Sequence, residues 1–224
     1  MNSSESDKRL EIPTDWTFKN SSVANNFETH VREQLPFYEL VTGAVAHLVR
    51  HYLTENGTLY DIGASTGNIT RVLAETIKSR NIRAISIEES EEMANIFTGE
   101  GEFLLADARD VDYDPFDVGV LFLVLMFLPI PDREKLLEKL LDCVKPGGAV
   151  IVVDKIEAAS GYLGTVLHRL ALAGKVATGT STDEIIQKEL SLAGVQRPLR
   201  EEELPSNAVE FFRFGSFAGW IIEG

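Results

Sequence analysis

The chain has 224 residues, with 35 acidic against 21 basic side chains and a formal net charge of −14. No dense Lys/Arg run offsets that charge, so a large nucleic-acid substrate is disfavoured. A single cysteine excludes an internal disulfide, and 44% hydrophobic with 25% charged residues are the values of a globular chain with a sizeable core.

In chain order, residues 1–22 read as a polar, partly disordered N-terminal tail and 23–224 as one domain. Met1 to Asp7 lack the charged-then-apolar order of a signal peptide. Residues 15–36 read as helical or irregular, with apolar spots at Trp16, Phe18, Val23 and Phe27. Pro36-Phe37-Tyr38 opens an amphipathic helix in which Leu40, Val41, Ala44, Val45, Leu48 and Tyr52 keep helical periodicity, ended by Asn56-Gly57. A strand at 58–62 then runs into Asp61-Ile62-Gly63-Ala64-Ser65-Thr66-Gly67, and a helix over 67–80 follows.

That strand–turn–helix resembles the D-x-G-x-[small]-x-G turn of class I S-adenosylmethionine (SAM) methyltransferases. Its glycines permit unusual dihedrals and close backbone approach to a ligand. Asp61 would face the ligand's ammonium, and the N–H groups opening the helix its carboxylate. A dinucleotide turn would have glycine where Ser65 stands and would hold a pyrophosphate, for which Asp61 is the wrong charge. Two further strands end in acids: 82–88 at Glu88, placed to accept ribose hydroxyls, and 102–106 just before Asp107, placed to accept from an adenine amino group.

Glu89 to Ala94 starts a short helix, and 117–125 reads as a buried parallel strand. The apolar run Val118 to Ile130 is too short for a membrane span and contains Pro129; no membrane partner and a cytoplasmic location are expected. Pro131 opens a helix carrying Leu136, Leu137, Leu140 and Leu141, with Cys143 in its last turn as a small buried residue. Lys145-Pro146-Gly147-Gly148 stops it before a strand at Ala149 to Asp154. Residues 158–173 and 181–193 read as helices, the second with a Ser181/Glu184 capping box. Val209–Phe214 and Phe217–Ile222 form a closing hairpin. The expectation is an α/β, Rossmann-like class I methyltransferase fold: a mostly parallel seven-stranded sheet, helices on both faces and a C-terminal antiparallel hairpin. The scattered histidines (His30, His47, His51, His168) give no metal-ligand spacing, and no metal is expected.

Over roughly residues 23–220 the chain also resembles the CmoA-type family, read as tRNA-uridine carboxymethyltransferases that use carboxy-SAM. The segments that carry this are the glycine turn, Val120-Leu121 through Phe127-Leu128, Lys145 to Ala149, Glu184-Ile185-Ile186-Gln187-Lys188, Phe214-Gly215-Ser216 and Pro36-Phe37-Tyr38. The resemblance implies cofactor contacts at Tyr38, Gly63, Ala64, Ser65, Glu88, Asp107 and Ala108; Asp61, Gly67 and Phe122 join the candidate site. The family's strand-4 asparagine is Phe122 here, and its threonine and glutamine nearby are Val124 and Met126. Its arginine for the extra cofactor carboxylate is Glu189, so ordinary SAM is expected over carboxy-SAM, with Lys188 or Arg197 as the substitutes that would reverse this.

The reading is therefore an enzyme that transfers a methyl group from SAM by in-line displacement to a small-molecule or protein acceptor. The alternatives are a CmoA-type tRNA-modifying transferase, opposed by charge, and a non-catalytic subunit of the same fold. No general base is evident; Tyr162 and His168, on the helix after the fifth strand, are the acceptor-side candidates. The apolar helix at 163–173 would serve a homodimer as readily as a core.

Overall fold

A computed structural model describes residues 12–224. Residues 1–11 of the expected tail lie outside the described residues. The tail boundary at residue 22 falls within packed chain, because Trp16 is only 4% exposed and its amide donates to the Ser191 carbonyl (2.9 Å). The elements are α1 (Ser21–Gln34), α2 (Tyr38–Tyr52), β1 (Thr58–Ile62), α3 (Asn68–Val72), α4 (Ala74–Ser79), β2 (Arg83–Glu88), α5 (Glu91–Ala94), β3 (Glu102–Leu105) and β4 (Phe116–Phe122). They continue with α6 (Ile130–Leu141), β5 (Val144–Lys155), α7 (Gly161–Ala177), α8 (Thr182–Ser191), β6 (Val209–Phe214) and β7 (Phe217–Glu223).

The sheet order is β3-β2-β1-β4-β5-β7-β6, with β3 through β5 parallel and β7 antiparallel to both β5 and β6. Its central strands are buried on both faces, which explains their near-continuous apolar runs. On one face Val41, Val45 and Val49 of α2 pack with Ile69, Leu73 and Ile77 against Leu59, Val120 and Ile151. On the other, Leu136 and Leu140 of α6 pack with Phe116, Leu121, Val150 and Trp220. Truncating either leucine to alanine would cost about 2–5 kcal/mol.

Three expectations shift in detail. The helix expected over 67–80 breaks at Leu73 into α3 and α4. Lys145 to Gly148 does not precede the fifth strand but bulges within β5, whose register against β4 jumps between Phe116 and Val118. Cys143 sits after α6, half-buried, with its thiol donating to the Tyr113 carbonyl (3.4 Å). Ser181 caps α8 by accepting from the Glu184 amide (3.2 Å). No helix among the described residues is long and apolar enough to cross a membrane.

Candidate active site

The turn after β1 is held in shape by left-handed backbone at Gly63 (φ 68°), Ser65 (φ 50°) and Gly67 (φ 86°). The Ala64 amide donates to the Ile87 carbonyl (2.9 Å), tying the turn to β2. A Cβ on Gly63 would stand 2.6 Å from a methyl of Val124, so glycine is required there by packing as well as by dihedral. Gly67 caps α3 and backs onto Gly99 and Phe97.

Asp61, one residue before the end of β1, is 2% exposed, and its Oδ2 has no hydrogen-bond partner. Burial, with the charge of Glu88 adding, pushes it up to about 7, against the support of the Thr70 amide. Glu88 ends β2, where its Oε2 accepts from the Ser65 amide and its Oε1 from the Ser90 amide, both at 2.9 Å. Those bonds fasten the turn and leave lone pairs for a ligand. Asp107 follows β3, and Arg109 grips its carboxylate at 2.6 Å, which holds it below the usual range. Tyr38 is buried, its ring edge-on to Phe122 at 5.5 Å and the Arg32 guanidinium 5.6 Å from its centroid; burial raises its hydroxyl pKa.

A single cavity of about 440 Å³ joins these groups. Tyr38, Asp61, Gly63, Ala64, Ser65, Glu88, Asp107, Ala108 and Phe122 line it, with Val124 and Met126. The Asp154 carboxylate, buried at the end of β5, accepts from the Leu125 (2.7 Å) and Met126 (3.3 Å) amides and fixes that apolar floor. His168 lines the cavity; Tyr162 does not, being 77% exposed, and Gly67 lies behind the turn.

Spacing along the chain did not disclose a second charged group in the lining. Lys155, Lys175, Lys188 and Glu189 converge on the same cavity from β5, α7 and α8. Lys175 pairs with Glu189 at 2.9 Å, and Lys155 donates to Gln196 Oε1 at 2.8 Å. Burial and the neighbouring Lys175 push Lys188 down to about 5, and its Nζ rests as a neutral amine against the Trp16 ring. Burial raises Glu189, but the hydrogen bond and charge of Lys175 outweigh it and hold the carboxylate ionised. Arg197 is not in the cavity wall. Nearby, His30, Glu33 and Glu184 bring nitrogen and carboxylate oxygens within 4.8 Å of one another, a grouping their distance in sequence conceals.

Residues 59–148 match the model of a methyltransferase domain. Among solved structures, the DhpI complex with S-adenosylhomocysteine has a TM-score of 0.58 at 16% identity, covering 90% of this chain and 91% of that one. The plantazolicin methyltransferase BpumL with S-adenosylhomocysteine has a TM-score of 0.59 at 14% identity, covering 90% and 88%. Fold, turn and domain match define a class I SAM-dependent methyltransferase, an enzyme fold that uses SAM.

Two relatives narrow the assignment. The carboxy-S-adenosyl-L-methionine synthase of Shewanella pealeana is 31% identical over 99% of this chain and 95% of its own. That of Staphylococcus epidermidis is 30% identical over 84% of both. The chain belongs to the carboxy-S-adenosyl-L-methionine synthase family. The relatives' name describes making carboxy-SAM, whereas the resemblance in sequence was read as using it on tRNA.

Proposed function

We propose that the chain transfers the methyl group of SAM to a small, carboxylate-bearing acceptor. The observation that carries this reading is one cavity lined by two unlike groups: the acids Asp61 and Glu88 from β1 and β2, and the lysines 155, 175 and 188 from β5, α7 and α8. The unpartnered, buried Oδ2 of Asp61 fits the ammonium of the amino-acid moiety, and Glu88 fits the ribose hydroxyls. Asp107, shared with Arg109, borders the adenine, and Tyr38, Gly63, Ala64, Ser65, Ala108 and Phe122 form the wall against the cofactor.

The sulfonium supplies a methyl group that is already activated. The chain's task is then alignment, which is worth roughly 7–11 kcal/mol of barrier. The apolar floor of Phe122, Val124 and Met126 keeps water from the reacting carbon. A carboxylate acceptor starts deprotonated and needs no general base. His168 stands on the acceptor wall without being needed as one.

A second reading is favoured by the relatives' name: formation of carboxy-SAM from SAM and a carboxylate donor. That reaction breaks one methyl C–H bond, forms one C–C bond and returns the proton to the donor as its carboxyl leaves. Lys155 would answer the carboxylate that Glu189 opposes, with Glu189 already neutralised by Lys175. Mass spectrometry of the nucleoside after incubation of the full chain with SAM and a panel of small carboxylic acids separates the two. S-adenosylhomocysteine with a methylated acid supports methyl transfer, a carboxylated SAM supports the second reading, and failure to bind either nucleoside overturns both.

A further inference from the structure

We infer that His30 and Gln34 form a recognition subsite for an uncharged hydrogen-bonding group, a hydroxyl or primary amide, on the second substrate. This rests on the reading that the lysine end of the cavity receives that substrate. The two side chains stand four residues apart on α1, hence on one face, and both line the cavity. His30 is 5% exposed and Gln34 9%. Neither ring nitrogen of His30, and neither polar atom of the Gln34 amide, has a hydrogen-bond partner. Buried polar atoms are nearly always paired, so two such side chains together on a cavity wall point to a ligand.

The chemistry of that ligand follows from the four atoms. Burial, with Lys188 and Lys175 nearby, holds His30 down to about 3, so the imidazole is neutral at neutral pH and offers one donor and one acceptor. The Gln34 amide also offers both kinds. Glu184 Oε1 stands 3.6 Å from Nδ1, beyond hydrogen-bond range but close enough to favour the proton on Nδ1, which leaves Nε2 as the acceptor. Trp16 stacks on the ring at 5.5 Å and fixes its plane. A carboxylate would satisfy only the donors. An ammonium would satisfy only the acceptors and would meet the lysines. A hydroxyl or a primary amide satisfies both kinds.

Matched phenyl compounds test this: phenylacetamide, 2-phenylethanol and phenylacetate, titrated by NMR into the full chain with S-adenosylhomocysteine present. The amide and the alcohol should bind, and His30→Leu and Gln34→Leu should each weaken them about tenfold. Phenylacetate, held at the lysine end, should change less than about twofold in those variants and lose most of its affinity in Lys155→Met. Both α1 variants replace an unpaired buried polar group with an apolar one, so melting temperature should hold or rise. If His30→Leu fails to fold, Gln34→Leu makes the same comparison. No binding of amide or alcohol to the unmodified chain, or equal weakening of all three compounds in the α1 variants, overturns the inference. Binding of amide and alcohol without phenylacetate supports the subsite and overturns the carboxylate-acceptor reading.

Discussion

Asp61 carries an unusual balance for a strand-end acid. Burial raises it from an ordinary 3.8 to about 7, so between those values the folded chain holds a proton that the unfolded chain has lost. Stability of the ligand-free protein should therefore fall as pH rises through that window, and Asp154, also pushed up to about 7 by burial, adds to the trend. An ammonium beside Asp61 favours the carboxylate and reverses the effect for that residue. SAM affinity is expected to climb from about pH 5.5 to 7 and level off above, with a proton released on binding below pH 7. Calorimetry across that range checks this; a flat profile, or one that persists unchanged in Asp61→Asn, would contradict it.

At the scale of the element, the turn between β1 and α3 works because nothing larger fits at Gly63. Gly63→Ala imposes a left-handed backbone cost of roughly 1–2 kcal/mol and drives a methyl into Val124. It should lower the melting temperature and weaken SAM together; a variant with unchanged affinity would mean the turn does not shape the site. This part of the molecule was legible in sequence. Strands that carry Asp61 and Glu88 at or next to their last residue declare their rim by periodicity and a charge near the end. Lys188 and Glu189 entered through the family resemblance, but the lysine cluster was not legible, because Lys155, Lys175 and Lys188 come from three elements and meet only through the packing of α7 against α1 and α8. Arg133 was hidden too: it is fully buried, paired with Glu203 at 2.9 Å and donating to the Arg197 carbonyl at 2.6 Å. A buried charge is tolerated only by partners, and those partners lie far along the chain. The bulge at Lys145 to Gly148 escaped for the same reason, since a proline-glycine run marks a break but not whether pairing resumes beyond it.

Over the whole molecule, a formal charge of −14 sets which partners approach. The lysines that could attract an anion line a cavity wall and are largely spoken for by Glu189 and Gln196, so they offer no track for a phosphate backbone. Filter binding with bulk tRNA at physiological salt should show no retention above that of an acidic control protein. Tight, steeply salt-dependent retention would restore the tRNA reading and require a basic surface on the fully assembled protein.

The most direct measurement is calorimetric titration of SAM into the unmodified chain and into Asp61→Ala and Glu88→Ala. Saturable binding to the first, lost in both variants while their circular dichroism and melting remain cooperative, is the expected result. Equal affinity in all three proteins would place the nucleoside elsewhere and contradict a site built on those two carboxylates.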